Sequence, residues 1–241
     1  MPSLALDDHL IWFAHCPKAG GTSIEAAMVE RWGDRVGHLH WGWDRWWRQG
    51  GWRIATPPNS PQHLIWEDAL KALPGAPDAV FAIVRDPVAR MISEYNYQRR
   101  HRRGTWLGRA VAHLPFSLWL RVMLRMAEQN PYAFDNHLRP HSDFIPEGAV
   151  VFRLEDGLEQ VMDWLGVTAE TGPPPHRLKS RPPSQSTQRR EAALIGAVFA
   201  EDYARFGYVR PERCDQPRPV LDRLARVLSS PLVWLDRRGL V

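Results

Sequence analysis

Cysteine is scarce in this 241-residue chain: Cys16 and Cys214 are the only two, and they stand far apart. A pair so placed builds no disulfide framework, which points to a reducing compartment. Membrane-length apolar runs are lacking as well. The run Leu10 to Cys16 is too short to span a bilayer, and Asp7 and Asp8 stand where a signal peptide would carry positive charge. The expectation is a soluble, cytoplasmic protein with no transmembrane segment. Neither sign of charge dominates: 31 Lys and Arg face 27 Asp and Glu, for a net +4. With a pI of about 9.4, the balance favours anionic ligands. No nucleic-acid-binding module is recognisable, so nucleic acid is not an expected partner. No internal repeat and no composition shift divides the chain, so one domain with excursions is expected.

What is present is a series of short apolar runs, each leading into a helical pattern. "LIWFAHC" (10–16) precedes a stripe of Ile24, Ala27, Met28 and Arg31. "AVFAIV" (79–84) precedes Val88, Met91, Ile92 and Tyr95, and "AVVFRL" (149–154) precedes Leu158, Val161, Met162 and Leu165. Runs apolar on both faces suit buried parallel strands. The fold class expected is α/β, a three-layer parallel sheet with helices on both faces. A long helix is expected from about Arg189 to Phe206. The segment 38–52, "HLHWGWDRWWRQGGW", is tryptophan-rich, and 172–188 is rich in Pro and Ser with several basic residues. The tail from Cys214 to Val241 is amphipathic and suits packing on the body, on a partner or peripherally on a membrane surface; the sequence leaves the three open.

The stretch "FAHCPKAGGTSIE" (13–25) carries the first chemical signal. A strand that enters a Gly-Gly turn and then a helix gathers backbone N–H groups in one concavity, at the positive end of a helix dipole. That arrangement suits a phosphate or a sulfate. Gly20 and Gly21 allow close approach of the anion, and Lys18 is a mobile charge within reach of it. Thr22 and Glu25 have capping-box spacing, so a well-capped helix is the plainer reading, and the two readings are compatible. The lysine precedes the glycines, the reverse of the usual nucleotide-binding loop.

A second strand end carries the other signal. "VRDPVARMISEY" (84–95) puts Arg85 at a strand's carboxyl edge, Asp86 at an N-cap and Pro87 at the first helical position. Ser93 lies about two turns into that helix. In open α/β sheets, ligands bind at the carboxyl edges of the strands, where both signals fall.

Together "PKAGGTS" and "VRDPVARMISEY" resemble the sulfotransferases that use 3′-phosphoadenosine 5′-phosphosulfate (PAPS), in particular the carbohydrate-sulfating branch that includes heparan sulfate 2-O-sulfotransferase. "DNHLRP" (135–140), "VVFRLED" (150–156) and "EDYARFGY" (201–208) extend the resemblance over roughly 10–208. It implies a fold similar to P-loop nucleotide kinases, with a sulfotransferase domain at 1–212 followed by the tail at 213–241. It also implies that Lys18, Ala19, Gly20, Gly21, Thr22 and Ser23 cradle the 5′-phosphosulfate, and that Arg85 and Ser93 bind the 3′-phosphate. By the same resemblance, Arg177, Lys179, Ser180 and Arg181 close over the nucleotide. Ala19 replaces the family's usual Thr, a small matter for a cradle of backbone amides. The lack of cysteine pairs and of an anchor departs from the Golgi relatives, suggests a soluble, bacterial-type member and weakens any carry-over of their particular glycan substrates.

Sulfuryl transfer is chiefly a matter of positioning and electrostatics, with Lys18 suited to the leaving oxygen and a histidine suited to deprotonate an acceptor hydroxyl. His63 precedes Arg85 at an interval similar to that of the family's catalytic histidine and ranks first; His40 is the next candidate. His38, His40, Asn136, His137 and Arg139 are candidate acceptor contacts, and the tryptophans of 41–52 suit either sugar stacking or core cover. PAPS is the expected co-substrate, a glycan or glycolipid-like molecule the expected acceptor, and no metal is expected. Two alternatives are a nucleotide or small-molecule kinase, which needs a lysine after the glycines, and a non-catalytic PAPS- or polyanion-binding relative.

Overall fold

The computed structural model describes residues 1–37, 59–73, 75–101, 111, 113–167, 185–212 and 218–236. The chain falls into two compact units: Met1–Arg85 with His141–Lys179, and Asp86–Pro140 with Ser180–Val241.

The first unit is built on a five-stranded sheet of order β3-β1-β2-β4-β5, with β1 Ser3–Leu6, β2 His9–Ala14, β3 Val36–Gly37, β4 Ala79–Val84 and β5 Val150–Arg153. The three strands expected from the apolar runs are β2, β4 and β5, and they pair in parallel. The sheet is nevertheless mixed, because β1 pairs antiparallel with both β2 and β3. The β1–β2 pairing follows from the tight turn at Asp7 and Asp8, with Asp7 at φ 48, since parallel strands need a long crossover. Asp78 pins the register of β4 on β2: its carboxylate accepts from the Leu10 amide at 2.7 Å, and its own amide donates to the Leu10 carbonyl at 2.8 Å. Phe13 then lies opposite Phe81, the rings stacked at 4.7 Å. Helix α1, Gly21–Trp32, buries Ile24 and Met28 as its periodicity predicts. Helices α2, Trp66–Ala72, and α5, Glu159–Trp164, complete this unit's described helices, and Leu158, Val161 and Leu165 are buried around α5.

The second unit is helical. Helix α3, Pro87–His101, starts as its sequence requires: the Asp86 carboxylate accepts from the Ala89 amide at 2.8 Å, a cap worth about 1 kcal/mol. Met91, Ile92 and Tyr95 of α3 join Trp119, Leu120 and Met123 of α4, Phe116–Gln129, in one buried cluster. The helix expected over 189–206 is two helices, α6 Gln185–Val198 and α7 Ala200–Phe206. They break at Phe199 (φ −102, ψ 33), whose buried ring lies 4.4 Å beneath the Arg90 guanidinium. Tail residues form α8, Pro219–Asp236, which packs on α4 through Ala225, Leu232 and Val233. Arg121 of α4 bridges to Asp222 of α8 at 3.1 Å and to buried Glu191 of α6. No helix among the described residues is long and apolar enough to cross a membrane.

Candidate active site

Strand β2 ends at Ala14, where the Cys16 amide turns back onto the Ala14 carbonyl at 2.9 Å. The loop from His15 to Gly20 then carries two left-handed residues, Lys18 at φ 67 and Gly20 at φ 86, before α1 begins at Gly21. A lysine in this region costs about 1 kcal/mol, strain that the surrounding structure has to hold. Two side chains hold it. His141 is buried, and its Nε2 donates to the Pro17 carbonyl at 3.2 Å, which fixes the proton on Nε2. Arg85, at the end of β4, donates from Nη1 to the Lys18 carbonyl at 3.3 Å. In a trans peptide the N–H points opposite the C=O. The Lys18 and Ala19 amides therefore point away from His141 and Arg85. At the start of α1 the Gly21 and Thr22 amides have no acceptor within the helix. Thr22 is exposed, Lys18 half-buried and Ser23 buried. This loop presents several N–H dipoles and one cation on a short stretch of chain, the electrostatics of an anion cradle.

Behind the cradle lies a histidine that the sequence reading passed over. His15 is buried, its Nδ1 donates to Glu25 Oε1 at 2.6 Å, and Glu25 is buried too. The expected capping box is therefore not formed. Helix α1 has Gly20 at its N-cap and no side-chain cap, and Glu25 is taken up by the imidazole instead. Stacking on Phe13 at 5.2 Å sets the plane of the His15 ring. A Cβ on Gly21 would fall within 2.6 Å of its Nε2, Cδ2 and Cε1. Gly21 is required there by the histidine at its back as well as by any anion at its front. The signal was present in the sequence, a histidine at the strand end and an acid one turn into the helix, but local spacing offered Glu25 a nearer partner.

His63 sits in the same unit, buried, on a short 3-10 turn Pro61–His63. Its ring meets that of His15 edge-on, with centroids 4.9 Å apart. Ser60 Oγ and Gln62 Nε2 lie at 3.4 Å from its Nδ1 and Nε2. Lys18–Ser23, Arg85 and His63 are thus all in the first unit, linked through Lys18 to Arg85 and through Gly21 and His15 to His63.

The second unit carries Ser93, Asn136, His137 and Arg139. Ser93 is buried on α3. Phe134, Asp135 and Asn136 have φ 53, 59 and 63, a complete left-handed turn closed by the His137 amide on the Phe134 carbonyl at 3.2 Å. Its anchors are buried. His137 Nδ1 lies 2.8 Å from Glu94 Oε2, Gln98 donates to Glu94 Oε1 at 2.7 Å, and Trp119 donates to Gln98 at 3.0 Å. Arg139 donates from Nε to Asn136 Oδ1 at 3.3 Å and to the Pro131 carbonyl at 3.1 Å. Arg90, the second arginine of the VRDPVARMISEY stretch, is wholly buried and donates to the Arg139 carbonyl at 2.6 Å. It holds the turn from inside. Burial first, and the Asp86 carboxylate second, push the nearby Tyr203 phenol well above its ordinary pKa, so it stays neutral. His38, His40, Arg177, Lys179, Ser180 and Arg181, with the tryptophans of 41–52, lie outside the described residues.

The loop at the carboxyl end of β2 is thus tied to an arginine at the carboxyl end of β4. The chain belongs to the sulfotransferase family, whose model matches residues 3–209. No curated protein and no solved structure matches it.

Proposed function

We propose that the protein moves a sulfuryl group from PAPS to a hydroxyl of a glycan or glycolipid-like acceptor and releases 3′-phosphoadenosine 5′-phosphate (PAP). The observation that carries this reading is the Lys18–Ser23 loop, with Arg85 hydrogen-bonded to its Lys18 carbonyl, in a chain of the sulfotransferase family. In this reading Lys18, Ala19, Gly20, Gly21, Thr22 and Ser23 hold the 5′-phosphosulfate, and Lys18 neutralises charge on the leaving phosphate oxygen. Arg85 and Ser93 bind the 3′-phosphate, which distinguishes the donor from ATP. His63 takes the acceptor proton as it enters the sulfuryl bond. Asn136, His137 and Arg139 form an acceptor-side surface on the left-handed turn. The scaffold is read as P-loop nucleotide-kinase-like, with helices on both faces of the sheet. Residues 1–212 are read as the catalytic domain and 213–241 as an appended tail.

A screen of PAPS turnover against glycans, glycolipids and phenols, with and without EDTA, tests this reading. It predicts transfer to a carbohydrate hydroxyl that EDTA leaves intact. Transfer only to phenols removes the carbohydrate assignment; phosphoryl transfer from ATP with strict magnesium dependence replaces the reading with a kinase.

A further inference from the structure

We propose that His15 is a positioning residue of the transfer site, oriented by Glu25 and setting the His63 ring and the first helical amide of the cradle in a fixed relation. The proposal rests on the sulfotransferase reading of the loop and adds two residues to it. Three surfaces of one imidazole carry it. Its Nδ1 edge is held at 2.6 Å by a carboxylate that is itself buried. One face stacks on Phe13, which stacks in turn on Phe81 of the neighbouring strand, so the ring plane is tied to the sheet. The far edge lies against Gly21 so closely that no side chain fits between, and His63 meets the ring edge-on at 4.9 Å. Because Nδ1 donates to Glu25, the proton stays on Nδ1 in the neutral ring, and the Nε2 edge turned to Gly21 is then an acceptor edge. A shift of this ring moves the candidate base and the cradle together. Glu25 is placed to prevent that shift, since its carboxylate is set one turn along the helix whose first residue the ring touches.

The test is histidine-selective nitrogen NMR of the unliganded full chain, with ring signals assigned by His15→Asn and His63→Ala, joined to PAP titration calorimetry. The wild type should show His15 protonated at Nδ1. Glu25→Gln keeps an acceptor oxygen and should leave the His63 signals in place, with PAP affinity within about threefold, whereas Glu25→Leu should shift the His63 signals and weaken PAP about tenfold. If Glu25→Leu does not fold, His15→Phe, which keeps the stacking and lacks the donor, should produce the same His63 shift. Unchanged His63 signals and PAP affinity in Glu25→Leu, or in His15→Phe in its place, overturn the proposal. A wild type that binds no PAP removes the sulfotransferase reading, and the His63 shift then still decides the role of His15.

Discussion

Both compact units hold backbone in the left-handed region, and they do so by different means. In the first unit Lys18 and Gly20 alternate with ordinary residues, and the anchors, His141 and Arg85, take carbonyl oxygens. That leaves N–H groups presented by the loop, the requirement for binding an anion. In the second unit Phe134, Asp135 and Asn136 are left-handed in succession, and besides Arg90 on the Arg139 carbonyl the anchors take side chains: Glu94 holds His137, and Arg139 reaches Asn136. Phe134 and Asn136 are buried, and the turn carries His137 and Arg139 in side-chain hydrogen bonds. Strain of this kind persists only where the surroundings over-determine it, and the two surroundings do so with different sets of hydrogen bonds.

The comparison is broken most severely by removing the second unit's central acceptor. Glu94→Leu leaves the His137 and Gln98 donors buried without it and should cost about 4 kcal/mol in chemical denaturation. An effect under about 1 kcal/mol would show that the turn does not depend on it. His63→Ala should lower kcat roughly a hundredfold, about 2.7 kcal/mol of barrier, and leave PAP affinity nearly unchanged. Lys18→Ala should lose both turnover and affinity. Full turnover in His63→Ala assigns the base elsewhere.

Gly21→Ala should destabilise by about 2 kcal/mol, because its Cβ overlaps the His15 ring, and His15→Ala in the same chain should recover most of that loss. Additive losses would mean that the ring is not what excludes a side chain there. The smallest effect separates strain from charge. Lys18→Gly and Lys18→Ala both remove the ammonium, yet at φ 67 the glycine variant should be the more stable by about 1 kcal/mol, with equally poor nucleotide binding.

Much of the first unit was legible in the sequence because its signals are local. The apolar runs marked β2, β4 and β5, and the glycine pair marked the turn into α1; in the second unit Asp86 and Pro87 marked the start of α3 in the same local way. Signals that travel were misread or missed. Glu25 looked like half of a capping box, yet it pairs with His15 of the preceding loop, and no local rule weighs a buried imidazole against a helix end. His141 reaches Pro17 from across the sequence, and Arg90 is enclosed by Phe199 and the Arg139 carbonyl, contacts that no local pattern announces. The left-handed turn has a weak sequence signature in Asp135 and Asn136, the types that after glycine best tolerate this region, but Phe134 has none. Its conformation is imposed by tertiary anchors that lie far along the chain. The helix expected over 189–206 is interrupted only at Phe199, across which the amides of Phe199 and Tyr203 still donate four residues back, to Ile195 and Phe199.

The measurement that bears most directly on the central claim is the melting temperature with PAP and with ATP at equal concentration. A ligand at a hundred times its Kd stabilises the native state by about 2.7 kcal/mol. The account predicts a clear rise with PAP and far less with ATP, because Arg85 and Ser93 are assigned to a 3′-phosphate that ATP lacks. Equal rises with the two nucleotides, or a rise with ATP alone, would contradict it.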